Sequence, residues 1–148
     1  MNRSDLLAFM RSHAMAVQAS VSLAGAPQAA VIGVVVTDRF EIFFDTLEST
    51  RKIRNLRKNP KVACVLGGLS PGEEKTVQYE GVADEPRGSA LAALKALYLT
   101  QFPDGRERQS WPGIVYVRVQ PTWLRYSDYG QVPAMVLELD AAQLDTLA

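Results

Sequence analysis

The sequence predicts a mainly β protein: a small antiparallel barrel, closed or partly closed, with about six strands and roughly two or three short helices. Valine- and isoleucine-rich runs recur along the chain, bounded by glycine, proline or short polar turns. Successive runs are joined too closely for parallel crossovers, as at Asp38-Arg39, so they pair antiparallel. Helical spacing of apolar residues is confined to a few short segments.

Asp5 to His13 reads as a helix, with Ser4 or Asp5 as its cap and Leu6, Leu7, Phe9 and Met10 as its apolar stripe. Ala14 to Leu23 is a strand that ends at the Gly25-Ala26-Pro27 turn. Gln28 to Thr37, with Val34-Val35-Val36, is apolar enough to suit a strand covered on both faces. Phe40 to Asp45 is the next strand. Ser49 to Asn59 is a helix capped by Ser49 or Thr50, turned inward at Ile53 and Leu56 and stopped by Asn59-Pro60. Lys61 to Leu66 and Lys75 to Asp84 are strands on either side of a glycine-rich loop. Pro86 to Gln101 is a helix with Leu91, Leu94 and Tyr98 on one side. Gln101 to Gly113 is polar and irregular. Ile114 to Tyr126 alternates through Val115, Val117 and Val119 as a strand, and Val132 to Leu139 adds a short last one. No repeat or linker divides the chain, so residues 1–148 are expected to form a single domain.

Composition narrows the function. Of 148 residues, 47% are apolar, which excludes a disordered chain. Sixteen bases balance sixteen acids, which gives no reason to expect a general polyanion binder and leaves a homo-oligomer open. Cys64 is the single cysteine, so no disulfide forms within the chain and a reducing, cytoplasmic setting is expected. The start of the chain carries no signal-peptide pattern, and no window is long and apolar enough to span a membrane. His13 is the single histidine and reads as a helix-end residue. One histidine and one cysteine cannot make a structural zinc site, so no metal is expected. Cys64 lies in an apolar strand and reads as an inert thiol. Trp111, Trp123, Tyr126 and Tyr129 read as packing residues, with stacking near a ligand as the alternative.

The stretch Asp45-Thr46-Leu47-Glu48-Ser49-Thr50-Arg51-Lys52 carries chemistry. A strand ends, hydroxyls follow, and a helix begins on two cations. A helix N-terminus already carries partial positive charge, so Arg51 and Lys52 are badly placed for the helix alone. An anion held by the free N–H groups, the Ser49 and Thr50 hydroxyls, Arg51 and Lys52 removes the conflict, and phosphate suits those donors. The competing reading is a solvated basic face, since Arg51, Lys52, Arg54, Arg57, Lys58 and Lys61 follow one another without an acid. A nucleic-acid patch fits less well, because no aromatic residues are interleaved with these bases.

Asp45-Thr46, Ser49-Thr50-Arg51-Lys52, Asn55-Leu56 and Asn59-Pro60-Lys61-Val62-Ala63 together resemble the signature of the pyridoxamine 5'-phosphate oxidase-like family, the FMN-binding split barrels. Pro27-Gln28-Ala29 upstream, Thr76 to Ala83 downstream, Trp111 and Val115 to Tyr126 extend the resemblance. It implies a six-stranded antiparallel split β-barrel of Greek-key type. It implies a homodimer with FMN between the subunits, Thr46, Ser49, Thr50, Arg51 and Lys52 around the phosphate, and the Ala30 to Val35 strand against the ring. Thr76 falls where the oxidase has a glutamine on the flavin, and Gln78, on the same face, can substitute.

The oxidase's arginine and lysine on the second strand fall at Ala30 and Val35. Its C-terminal arginine and histidine have no counterpart between Tyr126 and Ala148. The resemblance is therefore to short relatives rather than to the vitamin B6 oxidase itself. It implies an FMN-dependent oxidoreductase acting on a small molecule. The alternative is a non-enzymatic protein that stores or senses flavin, deazaflavin or haem. No side chain stands out as a catalytic acid or base.

Overall fold

A computed structural model describes residues 1–148. In chain order the elements are α1 (Arg3–Arg11), β1 (Met15–Val21), β2 (Pro27–Gly33), β3 (Val35–Val36), β4 (Ile42–Leu47), α2 (Arg51–Lys58), β5 (Lys61–Gly67), β6 (Lys75–Asp84), α3 (Gly88–Gln101), α4 (Gly105–Arg108), β7 (Ile114–Asp128), β8 (Met135–Asp140) and α5 (Ala141–Thr146). The strands form one antiparallel sheet in the order β2-β1-β5-β6-β7-β4-β3, with β8 added on β7. That order begins on β2 and ends on β3, which only Val34 separates. The sheet therefore curls until both ends of its order lie on one stretch of chain, while no ladder joins β2 to β4. The result is an open, curled half-barrel. No helix is long and apolar enough to cross a membrane.

The sheet has eight strands where the sequence suggested six. The expected Gln28–Thr37 strand divides at Val34, whose N–H still follows the β1 register to the Ala14 carbonyl at 2.9 Å before the chain passes to β4. Its first part pairs with β1 and its second with β4. The short last strand forms as β8. Five helices replace the expected two or three, because α4 and α5 are too short to display a helical period. The cap of α1 also lies earlier than expected. Asn2, not Ser4 or Asp5, accepts from the Asp5 N–H at 2.9 Å, and the Asp5 carboxylate reaches back to the Asn2 N–H.

Twenty-seven buried apolar side chains form one cluster inside the curl, so α1, α2 and the strands share a core. Phe43, Phe44, Leu66, Val77 and Tyr79 supply its centre, with Ile53 and Leu56 of α2 turned inward as the sequence predicts. Register slips at Glu80/Gly81 as β6 bends across β7. Any Cβ at Gly81 would stand 2.5 Å from the Gln120 carbonyl, so glycine is required at this crossing.

Two strands depart from simple expectation, and both shape the site. In β1 the inward side carries Ala16, Gln18 and Ser20, whereas Met15, Val17, Ala19 and Val21 face outward. The polar face of this strand is the buried one. In the Pro27–Val36 stretch, Ile32, Val34, Val35 and Val36 are buried, but Ala29, Ala30 and Val31 are exposed. The expectation of cover on both faces holds for the second half and fails for the first, because β2 ends the sheet.

Candidate functional site

Helix α2 begins on Arg51. Thr50 is its N-cap in extended conformation, but the Thr50 hydroxyl donates to the Leu47 carbonyl at 2.8 Å. No side chain caps the first turn and no acid lies in it. The partial positive charge of the helix start is thus left uncompensated beside two cations.

Neither cation is neutralised within the chain. Lys52 Nζ donates to Thr46 Oγ1 at 3.3 Å, and Thr46 Oγ1 lies 3.4 Å from Thr50 Oγ1. No carboxylate pairs with Lys52 or Arg51. Burial depresses the Lys52 pKa below the ordinary lysine range. Arg57, further along the same helix, behaves differently. It binds Glu48 at 2.6 Å and Glu85 at 2.9 Å, and those hydrogen bonds hold its guanidinium firmly protonated.

Arg51 and Lys52 border a cleft of about 110 Å³ whose other walls are Gln18 and Ser20 of β1 and Gln28, Ala29 and Ala30 of β2. Strand register sets Gln18 opposite Ala30 and Ser20 opposite Gln28, so these residues share one face. Asn55 lies beneath them, 8% exposed. Its Nδ2 donates to Ser20 Oγ at 3.0 Å and to Gln28 Oε1 at 2.9 Å. With those acceptor atoms occupied, the Ser20 proton and the Gln28 NH₂ group are left for the cleft. Gln18 is 1% exposed, and its Nε2 has no partner. Every polar group bordering the cleft can donate and none is a carboxylate. Such a lining suits an oxyanion of a few heavy atoms. A drug-sized ligand needs roughly 300–1,000 Å³, well above this volume.

The residues singled out from sequence do not all assemble here. Arg51 and Lys52 line the cleft, and Thr46 and Thr50 support Lys52 from behind. Ser49 is exposed and makes no side-chain hydrogen bond. Thr76 and Gln78 lie on the opposite side of the sheet. Gln18 aligns with Cys64 and Cys64 with Tyr79, all facing inward, whereas Val17, Val65 and Gln78 form the adjacent outward row. Thr76 and Gln78 line a separate groove of about 290 Å³ with Ala63, Val65 and Trp123. The Ala30–Val35 stretch is also split, since Ala30 borders the cleft while Val35 is in the core. Gln18 and Ser20 were missed, and Gln28 and Asn55, though part of the motifs that carry the resemblance, were given no role in the site. The available signal was polar residues at alternate positions of β1, which become meaningful only once that side is known to face inward.

Other sequence candidates fall outside the cleft. His13 follows the end of α1 and meets Glu73 at 2.6 Å and the Phe9 carbonyl at 2.9 Å. Burial pushes the Cys64 thiol up to about 12, as an inert thiol requires. Trp111 and Tyr129 are largely exposed, whereas Tyr126 is buried. No cluster of three or more metal-ligating side chains exists.

No curated protein matches the sequence. Among solved structures the chain is similar to a haem-binding protein from Mycobacterium smegmatis, at 15% identity and a TM-score of 0.82, over 97% of this chain and 60% of that one. It thus spans about three fifths of that protein's length. It is similar to HutZ, the haem storage protein of Vibrio cholerae, at 18% identity and a TM-score of 0.71, over 82% of this chain and 91% of that one. It is also similar to a pyridoxamine 5'-phosphate oxidase-related, FMN-binding protein from Nostoc punctiforme, at 13% identity and a TM-score of 0.68, over 93% of this chain and 84% of that one. These likenesses establish a shared split-barrel fold. The family profile described as pyridoxamine 5'-phosphate oxidase matches residues 4–128, which takes in every strand from β1 to β7 together with the start of α2. With profile and fold in agreement over that span, the chain belongs to the pyridoxamine 5'-phosphate oxidase family.

Proposed function

We propose that the protein is an FMN-binding flavoprotein whose cleft between α2 and the β1–β2 hairpin holds the flavin phosphate. The observation that carries this reading is the pair of cations at an uncapped helix start with no acid to answer them. A phosphate dianion there meets Arg51, Lys52 and the first-turn N–H groups together. The unpartnered Gln18 amide supports the fit, because a buried donor without a partner is costly and a ligand acceptor relieves it. The volume of the cleft suits the phosphate alone, so the ring must lie outside it.

FMN, when bound, supplies the electron chemistry, and the chain's share is binding and orientation. Arg51 and Lys52 fix the phosphate end, Thr46 steadies the Lys52 ammonium, and Asn55 sets the direction of the Ser20 and Gln28 donors. This division of labour suits an oxidoreductase acting on a small molecule, with no acid or base required from the cleft.

The assembly we assign is a homodimer. Outward-facing Val31, Val17 and Val65 are cross-strand neighbours, and so are Ala29, Ala19 and Ala63. Two adjacent apolar rows on one sheet face form a surface that a second copy can cover. A partner seated there also offers a route by which Thr76 and Gln78 approach a flavin, since the sheet separates them from the cleft of their own chain. A cytoplasmic location accords with the single, buried thiol. Arg57, committed to Glu48 and Glu85, breaks up the basic stretch and leaves a poor nucleic-acid surface.

A haem-binding reading is supported by the likeness to the Mycobacterium smegmatis and Vibrio cholerae proteins. Against it, the sole histidine is engaged on both ring nitrogens by Glu73 and the Phe9 carbonyl. Flavin-fluorescence titration of the apo-protein with FMN and riboflavin tests the assignment. FMN binding much more tightly than riboflavin is the expected result, and equal affinity for the two overturns it.

A further inference from the structure

Gln18 presents a problem that the fold does not solve. A glutamine 1% exposed on the inner side of β1 has its amide nitrogen without an acceptor anywhere in the chain. Left unmet, a buried donor destabilises the protein, and such a residue is retained where something outside the chain accepts its proton. The neighbouring geometry indicates what that is. Across the ladder stands Ala30, and Gln18 lines the cleft beside it, its amide nitrogen enclosed just behind the cleft wall. Ser20, two residues on along the same face, is held as an acceptor by Asn55, so its own proton also points away from the protein network. Both donors are neutral and stand across the cleft from two cations.

We infer that Gln18 is a specificity-determining ligand of the bound anion, donating through Nε2 to a phosphate oxygen on the side away from Arg51 and Lys52. This rests on the reading that the cleft holds a phosphate. The cations supply attraction to any anion, whereas a neutral, directed donor responds to where the oxygens are. Gln18 therefore separates a tetrahedral phosphoryl group, which sends an oxygen to each wall, from a planar carboxylate, which does not. An apolar residue of similar length at this position frees the apo-protein of an unmet donor and simultaneously removes a contact to the ligand. Stability and affinity then move in opposite directions, which no purely structural role for Gln18 produces.

The test uses Gln18→Met and the wild-type protein, with FMN, riboflavin, orthophosphate and acetate as probes. Thermal melting of the apo-proteins and fluorescence titration are the first readouts. Gln18→Met is expected to melt higher than wild type without ligand, to bind FMN roughly tenfold more weakly, and to bind riboflavin unchanged, as loss of one charge-assisted hydrogen bond requires. The second readout does not depend on the variant. In ¹⁵N-labelled wild-type protein, the side-chain NH₂ pair of Gln18 should shift on adding orthophosphate and stay in place on adding acetate. A wild-type protein that prefers FMN to riboflavin, while Gln18→Met keeps the same preference and affinity, overturns the inference and leaves the flavin reading intact. Equal affinity for FMN and riboflavin overturns the flavin reading, and the orthophosphate arm then decides Gln18 by itself. A Gln18 resonance that does not respond to phosphate, or responds equally to acetate, overturns the inference in either case.

Discussion

Asn55 Nδ2 donates to Ser20 Oγ at 3.0 Å, joining the helix that carries the cations to the strand that forms the opposite wall of the cleft. The same nitrogen reaches Gln28 Oε1 at 2.9 Å on the neighbouring strand. One buried side chain thus sets the spacing between α2, β1 and β2. Asn55→Ala should destabilise the protein by about 1–3 kcal/mol, since it leaves two acceptors without a donor in a largely buried place. It should also weaken FMN, because the Ser20 and Gln28 donors lose their fixed direction. Urea unfolding measures the first effect and flavin titration the second. A variant as stable as wild type would remove Asn55 from this role.

Arg51 and Arg57 carry the same charge on the same helix but differ in what surrounds them. Arg51 has no acidic partner, whereas Arg57 is spent on Glu48 and Glu85. Arg51→Ala should weaken FMN by roughly tenfold to a hundredfold, the loss of a charge-assisted contact to phosphate. Arg57→Ala should change FMN affinity little and cost little stability, as loss of exposed ion pairs does. Titration of both variants decides the matter. Equal losses in affinity would mean that α2 attracts the ligand only through its net charge.

How far the sequence reveals this protein depends on the scale of the signal. Strands β5, β6 and β7 can be read directly, because each is long and its alternation matches the face it buries. Arg51 and Lys52 are equally readable, since cations at a helix start conflict with the helix dipole in sequence alone. The opposite wall cannot be found this way. Gln18, Ser20 and Gln28 look like solvent-facing positions of ordinary strands, and only the curl of the sheet turns them toward α2. Thr76 and Gln78 share a face with each other, as their spacing predicts, yet one chain cannot bring that face to the cleft. The interruption at Val34 is likewise invisible, because it marks where the chain passes from pairing with β1 to pairing with β4 and no residue there disfavours a strand.

Glu73 closes the glycine-rich turn after β5. Its carboxylate meets His13 Nε2 at 2.6 Å and accepts from the Leu69 N–H at 3.2 Å, which ties the loop to the end of α1. The hydrogen bond to His13 is the main reason the Glu73 pKa lies below its ordinary 4.5. A carboxyl whose pKa is depressed by folding adds stability above its unfolded value and loses it as pH falls through the folded one. The stability difference between wild type and Glu73→Gln should therefore be present at neutral pH and vanish in acid, below the usual carboxylate range. Hydrogen exchange on a variant that removes the acceptor should report the link locally, with the Leu69 amide protected at neutral pH in wild type and unprotected in Glu73→Ala. Protection that persists in Glu73→Ala would mean that the turn is held by its backbone alone.

Val17 stands at the centre of the outward apolar rows, between Val31 on β2 and Val65 on β5. Val31 is 60% exposed in the single chain, so this surface gains from being covered. Wild-type protein should scatter light as a particle of about twice the 16.3 kDa chain. Val17→Asp places a charge that must be desolvated in the middle of that contact, while its side chain leaves the core untouched, so the variant should fold and scatter as a single chain. The two ligands then report on the architecture separately. Orthophosphate needs only the cleft of one chain and should bind the variant as it binds wild type. In the proposed dimer FMN also meets the surface that a partner brings, including the Thr76 and Gln78 groove, and should bind the variant more weakly. A wild-type protein that is monomeric at micromolar concentration would exclude the homodimer. Unchanged FMN affinity in a monomeric Val17→Asp variant would place the whole flavin site within one chain.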